Sequence, residues 1–228
     1  MITRKNLLAS IFLIVLGLVA ASPTRADVVQ LTNPGQLGAG NINVPLPSGA
    51  GEPIITSPLV LTAGGRSVTL NLTRADSNRS FQAFVVGAGS GFSFPAGTTL
   101  LDTLGNDPLQ IDFAGGVTQI ALRAQSNTLG AGMFIFTAFN GNTAFGPFSV
   151  AFSDTAVSFI GVGATGNDII TRLVLTSAPT SGVRQGFSFG QISILPAAAT
   201  AVPEPATMTL LGIGLAGAAA KLRRRRSK

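Results

Sequence analysis

The chain has 228 residues, 46% of them apolar, and its 15 Lys and Arg outnumber its 9 Asp and Glu, yet that excess sits at the two ends. Between Asp27 and Thr200 six arginines meet eight acids, a net charge of −2, so the body lacks the cationic stripe that a nucleic-acid partner needs and that class is excluded. The chain has no Cys or His and the body has no Lys, which removes disulfides, Ser-His-Asp, Cys-His and Ser-Lys nucleophiles, Schiff bases and the usual ligands of zinc, copper and haem.

In chain order, Arg4 and Lys5 precede an apolar run from Leu7 to Ala21, followed by small residues up to Ala26. A positive start, a short apolar stretch and a small-residue cut site predict a secretory signal peptide over residues 1–26, handled by the secretion machinery and signal peptidase. The cut is expected after Ala26, with Ala21 or Ser22 as the alternative. An uncleaved anchor is the competing reading, disfavoured because so short a run spans a bilayer poorly.

From Asp27 to about Pro53 the chain is rich in Gly, Pro and Asn and reads as loop with one edge strand. Beyond Ile54, apolar residues alternate with others at Val68, Leu70 and Leu72, at Ile120 and Leu122, at Phe148, Val150 and Phe152, at Leu173 and Leu175, and at Ile192 and Ile194. Period two marks strands with one buried face. Breaks are predicted at Gly64-Gly65, Gly87 to Gly91, Gly105 to Pro108, Gly115-Gly116, Asn140 to Asn142, Gly161 to Gly166 and Pro179 to Gly182. Asn140-Gly141, set between phenylalanine-rich strands, reads as a hairpin turn. The prediction is an all-β fold, an antiparallel jelly-roll-like β-sandwich over residues 27–196, with a short linker at 197–201.

Only carboxylates remain for chemistry. Asp102, Asp107 and Asp112 lie close in sequence, and Asp154 and Asp168 stand in later loops. Two acids held ~5–10 Å apart can cleave a glycosidic bond, and Asp154-Thr155-Ala156 has the look of an aspartic-protease triplet. Turn capping is the commoner use of such aspartates. Asp102 to Asp107 carries oxygen ligands suited to calcium but lacks the spacing and closing Glu of an EF-hand. All fifteen aromatic residues are phenylalanines. Phe81, Phe84, Phe92, Phe94, Phe134, Phe136, Phe139, Phe145, Phe148 and Phe152 suggest a sugar platform, but rings without a polar handle suit a core better. No catalytic, cofactor or metal residue is assigned in the body, and it is expected not to be an enzyme.

The C-terminal stretch is the most specific. Val202, Pro203, Glu204 and Pro205 are followed by an apolar run from Ala206 to Ala220 and then by Lys221, Arg223, Arg224, Arg225, Arg226 and Lys228. Fifteen residues of helix cover ~22 Å against a hydrocarbon core of roughly 30 Å. Gly212, Gly214 and Gly217 give that helix small faces for a membrane partner. Arginines beside a membrane segment stay on the cytoplasmic side, which puts the Pro-Glu-Pro motif at the outer face. A plain tail anchor has the same physics. Residues 202–228 closely resemble the PEP-CTERM sorting signal of bacterial exosortase substrates: the motif at Val202 to Pro205, the Leu210 to Gly217 helix and the Arg223 to Arg226 stop occur in order. The resemblance implies a membrane exosortase as partner, cleavage near the motif, transient residence in the inner membrane of a Gram-negative cell, and delivery to the surface or matrix.

The segment from Phe113 to Ile194 is similar to the sandwich domain common in PEP-CTERM proteins, through Val117 to Ile120, Phe134 to Gly141, Val157 to Val162 and Ile169 to Leu175. That domain's closing strand carries an Asp where this chain has Gly190-Gln191 after Phe187-Ser188-Phe189, so no calcium or ligand role is carried over there. The expected function is an exported, exosortase-processed surface or matrix protein with a structural or interaction role near exopolysaccharide or biofilm. A carbohydrate-binding module and a carboxylate-dependent hydrolase are the alternatives.

Overall fold

The computed structural model describes residues 27–73, 79–105, 108–127, 130–153, 156–166, 168–180 and 186–198. The expected signal peptide, the membrane helix and the sorting motif lie outside these residues. The chain divides into two compact units, Met1–Ala197 and Ala198–Lys228, and every described strand belongs to the first. The strands are β1 (Val28–Leu31), β2 (Ile42–Asn43), β3 (Ile54–Thr56), β4 (Leu59–Ala63), β5 (Arg66–Leu72), β6 (Ser80–Val85), β7 (Thr99–Asp102), β8 (Leu109–Ser126), β9 (Ala131–Asn140), β10 (Thr143–Ser153), β11 (Ser158–Ala164), β12 (Ile170–Pro179) and β13 (Phe187–Pro196). Every pairing between them is antiparallel. Among the described residues the one helical turn is a 3-10 turn at Pro34–Gln36, and no helix is long and apolar enough to cross a membrane.

Strand β8 organises the sandwich. Its first part, Leu109 to Phe113, lies between β5 and β12. Its second part, Gln119 to Ala124, lies between β11 and β13. The change of neighbours falls at Gly115 and Gly116, whose φ angles of 75° and 69° suit glycine. This pair was expected to break the strand; instead it bends one strand from one layer into the other. One layer runs β4-β5-β8-β12-β9-β10 and the other β1-β11-β8-β13-β7-β6-β3, with β2 beside the end of β13. The Arg66 guanidinium fixes the bend, donating to Gly115 O at 3.0 Å, Gly116 O at 3.1 Å and Ala197 O at 2.5 Å.

The alternating residues point inward as the period demands. Val68, Leu70 and Leu72 of β5, Ile111 of β8, Leu173 and Leu175 of β12, and Phe134 and Phe136 of β9 are buried. They share one core with Ile120, Leu122, Ile160, Val162, Phe187, Phe189, Ile192 and Ile194. The Phe134 and Phe187 rings meet edge to face at 5.5 Å, one from each layer. The hairpin at Asn140 forms as expected: Asn140 pairs with Thr143, and Gly141 turns the chain at φ 56°. The region from 27 to 53 holds two short strands, β1 and β2, instead of one. A smaller cluster of Val86, Phe94 and Leu100, with Phe84, Phe92 and Val157 against it, packs apart from the main core.

Candidate functional site

Most phenylalanines proposed as a sugar platform fill the interior. Phe81, Phe94, Phe134, Phe136 and Phe152 are buried, Phe145 and Phe148 pack against the main core, and Phe84 and Phe92 pack on the smaller cluster. Phe139 belongs to neither cluster. It pairs across the sheet with Arg172, which pairs in turn with Asp112. Arg172 Nε donates to Asp112 Oδ1 at 2.8 Å, and the guanidinium stands 5.8 Å from the Phe139 ring centre. Gln110 Nε2 donates to the other oxygen of Asp112 at 2.7 Å.

The other described acids among the candidates are each held by their own partners. Asp102 is buried at the end of β7. It accepts from the Leu104 N–H at 2.6 Å, from Asn127 Nδ2 at 2.5 Å and from the Ser188 hydroxyl at 2.6 Å. Asp168 accepts from Asn140 Nδ2 at 3.3 Å. Asp107 and Asp154 lie outside the described residues. Among the described residues no three acids gather as a metal would require. The oxygens of Asp102, the first ligand of the calcium reading, face N–H and O–H donors. Asp102, Asp112 and Asp168 thus serve three separate hydrogen-bond groups on different strands and loops.

A cleft of about 410 Å³ opens on the layer containing β11, β8 and β13. Its floor runs through Ala121, which pairs with Gly161 on one side and Ser193 on the other. Ala121 is small, which leaves room above it, whereas the space over Gly161 is taken by the Leu31 and Phe159 side chains. Phe159 and Arg123, paired across β11 and β8, line it together with Gln191, Ser193 and Asn43. Pro34 and Leu37 close one end. Gln191 sits at a register shift in β13 with φ 49°, a left-handed conformation that costs a non-glycine residue roughly 1–2 kcal/mol. The Ser193 hydroxyl donates to Asn43 Oδ1 at 2.7 Å, which leaves the Asn43 amide N–H groups as donors. The rim is fixed: Gln119 accepts from the Gly38 N–H at 2.7 Å and donates to Gln36 O at 3.3 Å.

Sequence reasoning missed this cleft. Arg123 was visible as an outward position of an alternating strand. The loop and strands that surround it come from distant parts of the chain, and nothing local marks Gln191 as left-handed.

Residues 201–226 match the PEP-CTERM protein-sorting motif, which takes in Val202 to Pro205 and Arg223 to Arg226. The chain carries a PEP-CTERM sorting signal. That signal implies export, transient anchoring in the membrane and handling by an exosortase before display at the cell surface. No curated protein matches the chain. Among solved structures, the CBM22-1 xylan-binding domain of Paenibacillus barcinonensis Xyn10C is 13% identical over 64% of this chain and 90% of its own, with a TM-score of 0.29. The tandem CBM22-1-CBM22-2 domain of the same protein is 14% identical over 62% of this chain and 42% of its own, with a TM-score of 0.27. A point mutant of a carbohydrate binding module family 29 is 15% identical over 75% of this chain and 89% of its own, with a TM-score of 0.23. TM-scores this low carry no argument about the chain, whose two-layer architecture rests on its own strand pairing.

Proposed function

We propose that the chain is an exported, exosortase-processed protein of the cell surface or extracellular matrix, whose β-sandwich acts without catalysis in a structural or interaction role tied to exopolysaccharide. The observation that carries the reading is the PEP-CTERM match at residues 201–226. The signal-peptide pattern at the other end supports the same route. The body contributes a packed sandwich whose described candidate acids are engaged in hydrogen bonds of their own, which favours a scaffold over a hydrolase.

Mass spectrometry of the exported protein's two ends tests this. The expected product begins near Asp27 and ends near Glu204. An exported protein that still ends in Lys228 would make the tail a plain anchor. Carbohydrate binding is the second reading, favoured by the cleft around Arg123.

A further inference from the structure

The Arg123 guanidinium is the feature that the fold leaves unexplained. Arg66 donates to three carbonyls and Arg172 is paired with Asp112. Arg123 is half-buried in the cleft and, among the described residues, its side chain has neither a hydrogen bond nor an ion pair. Among the described residues no acid lines that cleft. A guanidinium in a recess without a counter-charge attracts an anion, and its planar fork matches the two oxygens of a carboxylate.

The remaining walls narrow the choice. Among the described residues the Gln191 side-chain amide is free, the Asn43 amide has N–H groups to spare, and Ser193 adds a hydroxyl, so polar groups converge from two strands on the space in front of Arg123. Phe159 lies on the other side of Arg123, next along the sheet, and Leu37 stands at the rim. A ring beside a cation and amides suits a ligand with an apolar C–H face, hydroxyls around its edge and one negative charge. The volume is near the lower end for small-ligand pockets, which typically span ~300–1,000 Å³, so the cleft takes a short piece of a ligand. We propose that this cleft binds the carboxylate-bearing residue of an acidic saccharide, with Arg123 holding the carboxylate and Gln191 and Asn43 the neighbouring hydroxyls. The proposal rests on the matrix reading above and names the ligand class that such a protein would hold.

The test is calorimetric titration of the exported protein with an oligomer of glucuronic acid and with a neutral glucose oligomer of equal length. Saturable binding of the acidic oligomer, at least tenfold tighter than the neutral one, is expected. Arg123→Gln should weaken it at least tenfold, and Arg123→Lys less. Gln191→Gly should weaken it several-fold with no loss of fold, since glycine accepts the left-handed backbone that glutamine is forced into; an unfolding midpoint no lower than the parent's verifies that. Equal affinity for both oligomers, an unaffected Arg123→Gln variant, or no binding at all would overturn the proposal. Displacement by acetate or inorganic phosphate as effective as the oligomer itself would also overturn it, reducing the cleft to an anion site. The C-terminus of the same preparation is read by mass spectrometry. A processed protein that ignores the acidic oligomer sinks this inference alone, whereas one that binds it and still ends in Lys228 sinks the processing reading alone.

Discussion

Asp102 shows what a carboxylate does in this body. Its two oxygens receive the Leu104 N–H, the Asn127 amide and the Ser188 hydroxyl, while the neighbouring Thr103 hydroxyl receives the Phe187 N–H at 3.0 Å. Positions from β7, β13 and the ends of two strands are thereby locked at one buried point, and Ser188 and Thr103 have no access to solvent. Removing the acceptor takes this partner from the buried Ser188 hydroxyl and from the part-buried Leu104 N–H and Asn127 amide, at about 1–3 kcal/mol for a donor left unpaired in the interior. Asp102→Ala is therefore expected to lower the unfolding free energy by about 2–4 kcal/mol, read as a reduced urea midpoint at constant slope. Asp102→Asn keeps one acceptor oxygen and should lose less. If both variants unfold like the parent, the network contributes nothing, and Asp102 becomes available for the catalytic or calcium role that its sequence neighbourhood suggested.

At the scale of elements, the decisive feature is the bend in β8. A Cβ on Gly115 would stand 2.7 Å from the Arg66 Nη1 that holds the bend, and φ 75° is costly for alanine besides. Gly115→Ala and Arg66→Ala should each destabilise by about 2 kcal/mol, through backbone strain with lost hydrogen bonds in the first and lost hydrogen bonds in the second. The two are coupled, because alanine at 115 already displaces the guanidinium. The double variant should fall short of the sum of the singles by at least ~0.5 kcal/mol. A strictly additive result in denaturant unfolding would mean that Arg66 does not brace the bend. The same element marks the limit of local reading. Gly64-Gly65 and Gly115-Gly116 are equivalent in sequence, and both pairs have positive φ in the structure. The first reverses the chain because Ala63 and Arg66 pair with each other. The second does not, because Leu109 to Phe113 before it pair with β5 and β12, and Gln119 to Ala124 after it pair with β11 and β13, while β12 follows the bend as far as Val117 through a register shift of its own. Strand periodicity at Val68, Leu70 and Leu72 is local and could be read; the choice of partners is not. The cleft was illegible for the same reason, since Asn43, Arg123, Phe159 and Gln191 meet only after four distant strands pair.

Over the whole chain, charge separates two tasks. The body carries −2 and its described arginines include Arg66 and Arg172, engaged in structure, and Arg123, which stands in the cleft, whereas the cations that give the chain its overall +6 flank the two apolar runs near its ends. Such a distribution serves membrane handling: Lys and Arg beside a hydrophobic segment resist transfer and fix which side remains inside. Four arginines at 223–226 follow an apolar run of fifteen residues, which as a helix would cover about 22 Å, short of a hydrocarbon core of roughly 30 Å, so the basic cluster is expected to act as the stop. Replacing Arg223, Arg224, Arg225 and Arg226 together by glutamine should weaken the stop without touching the Pro-Glu-Pro motif. The absence of cysteine makes this measurable, since any single introduced thiol is the sole reporter. In spheroplasts, Ser90→Cys in an exposed loop of the body should react with a membrane-impermeant maleimide, and Ser227→Cys should react only after lysis. Neutralising the arginines in the Ser227→Cys chain should expose a large part of its tail thiols to the outside reagent and reduce the processed product, because a tail that slides through no longer presents its motif at a fixed depth. Labelling of Ser227→Cys from outside with the four arginines intact would reverse the topology, and with it the assignment of Glu204 to the face where an exosortase acts.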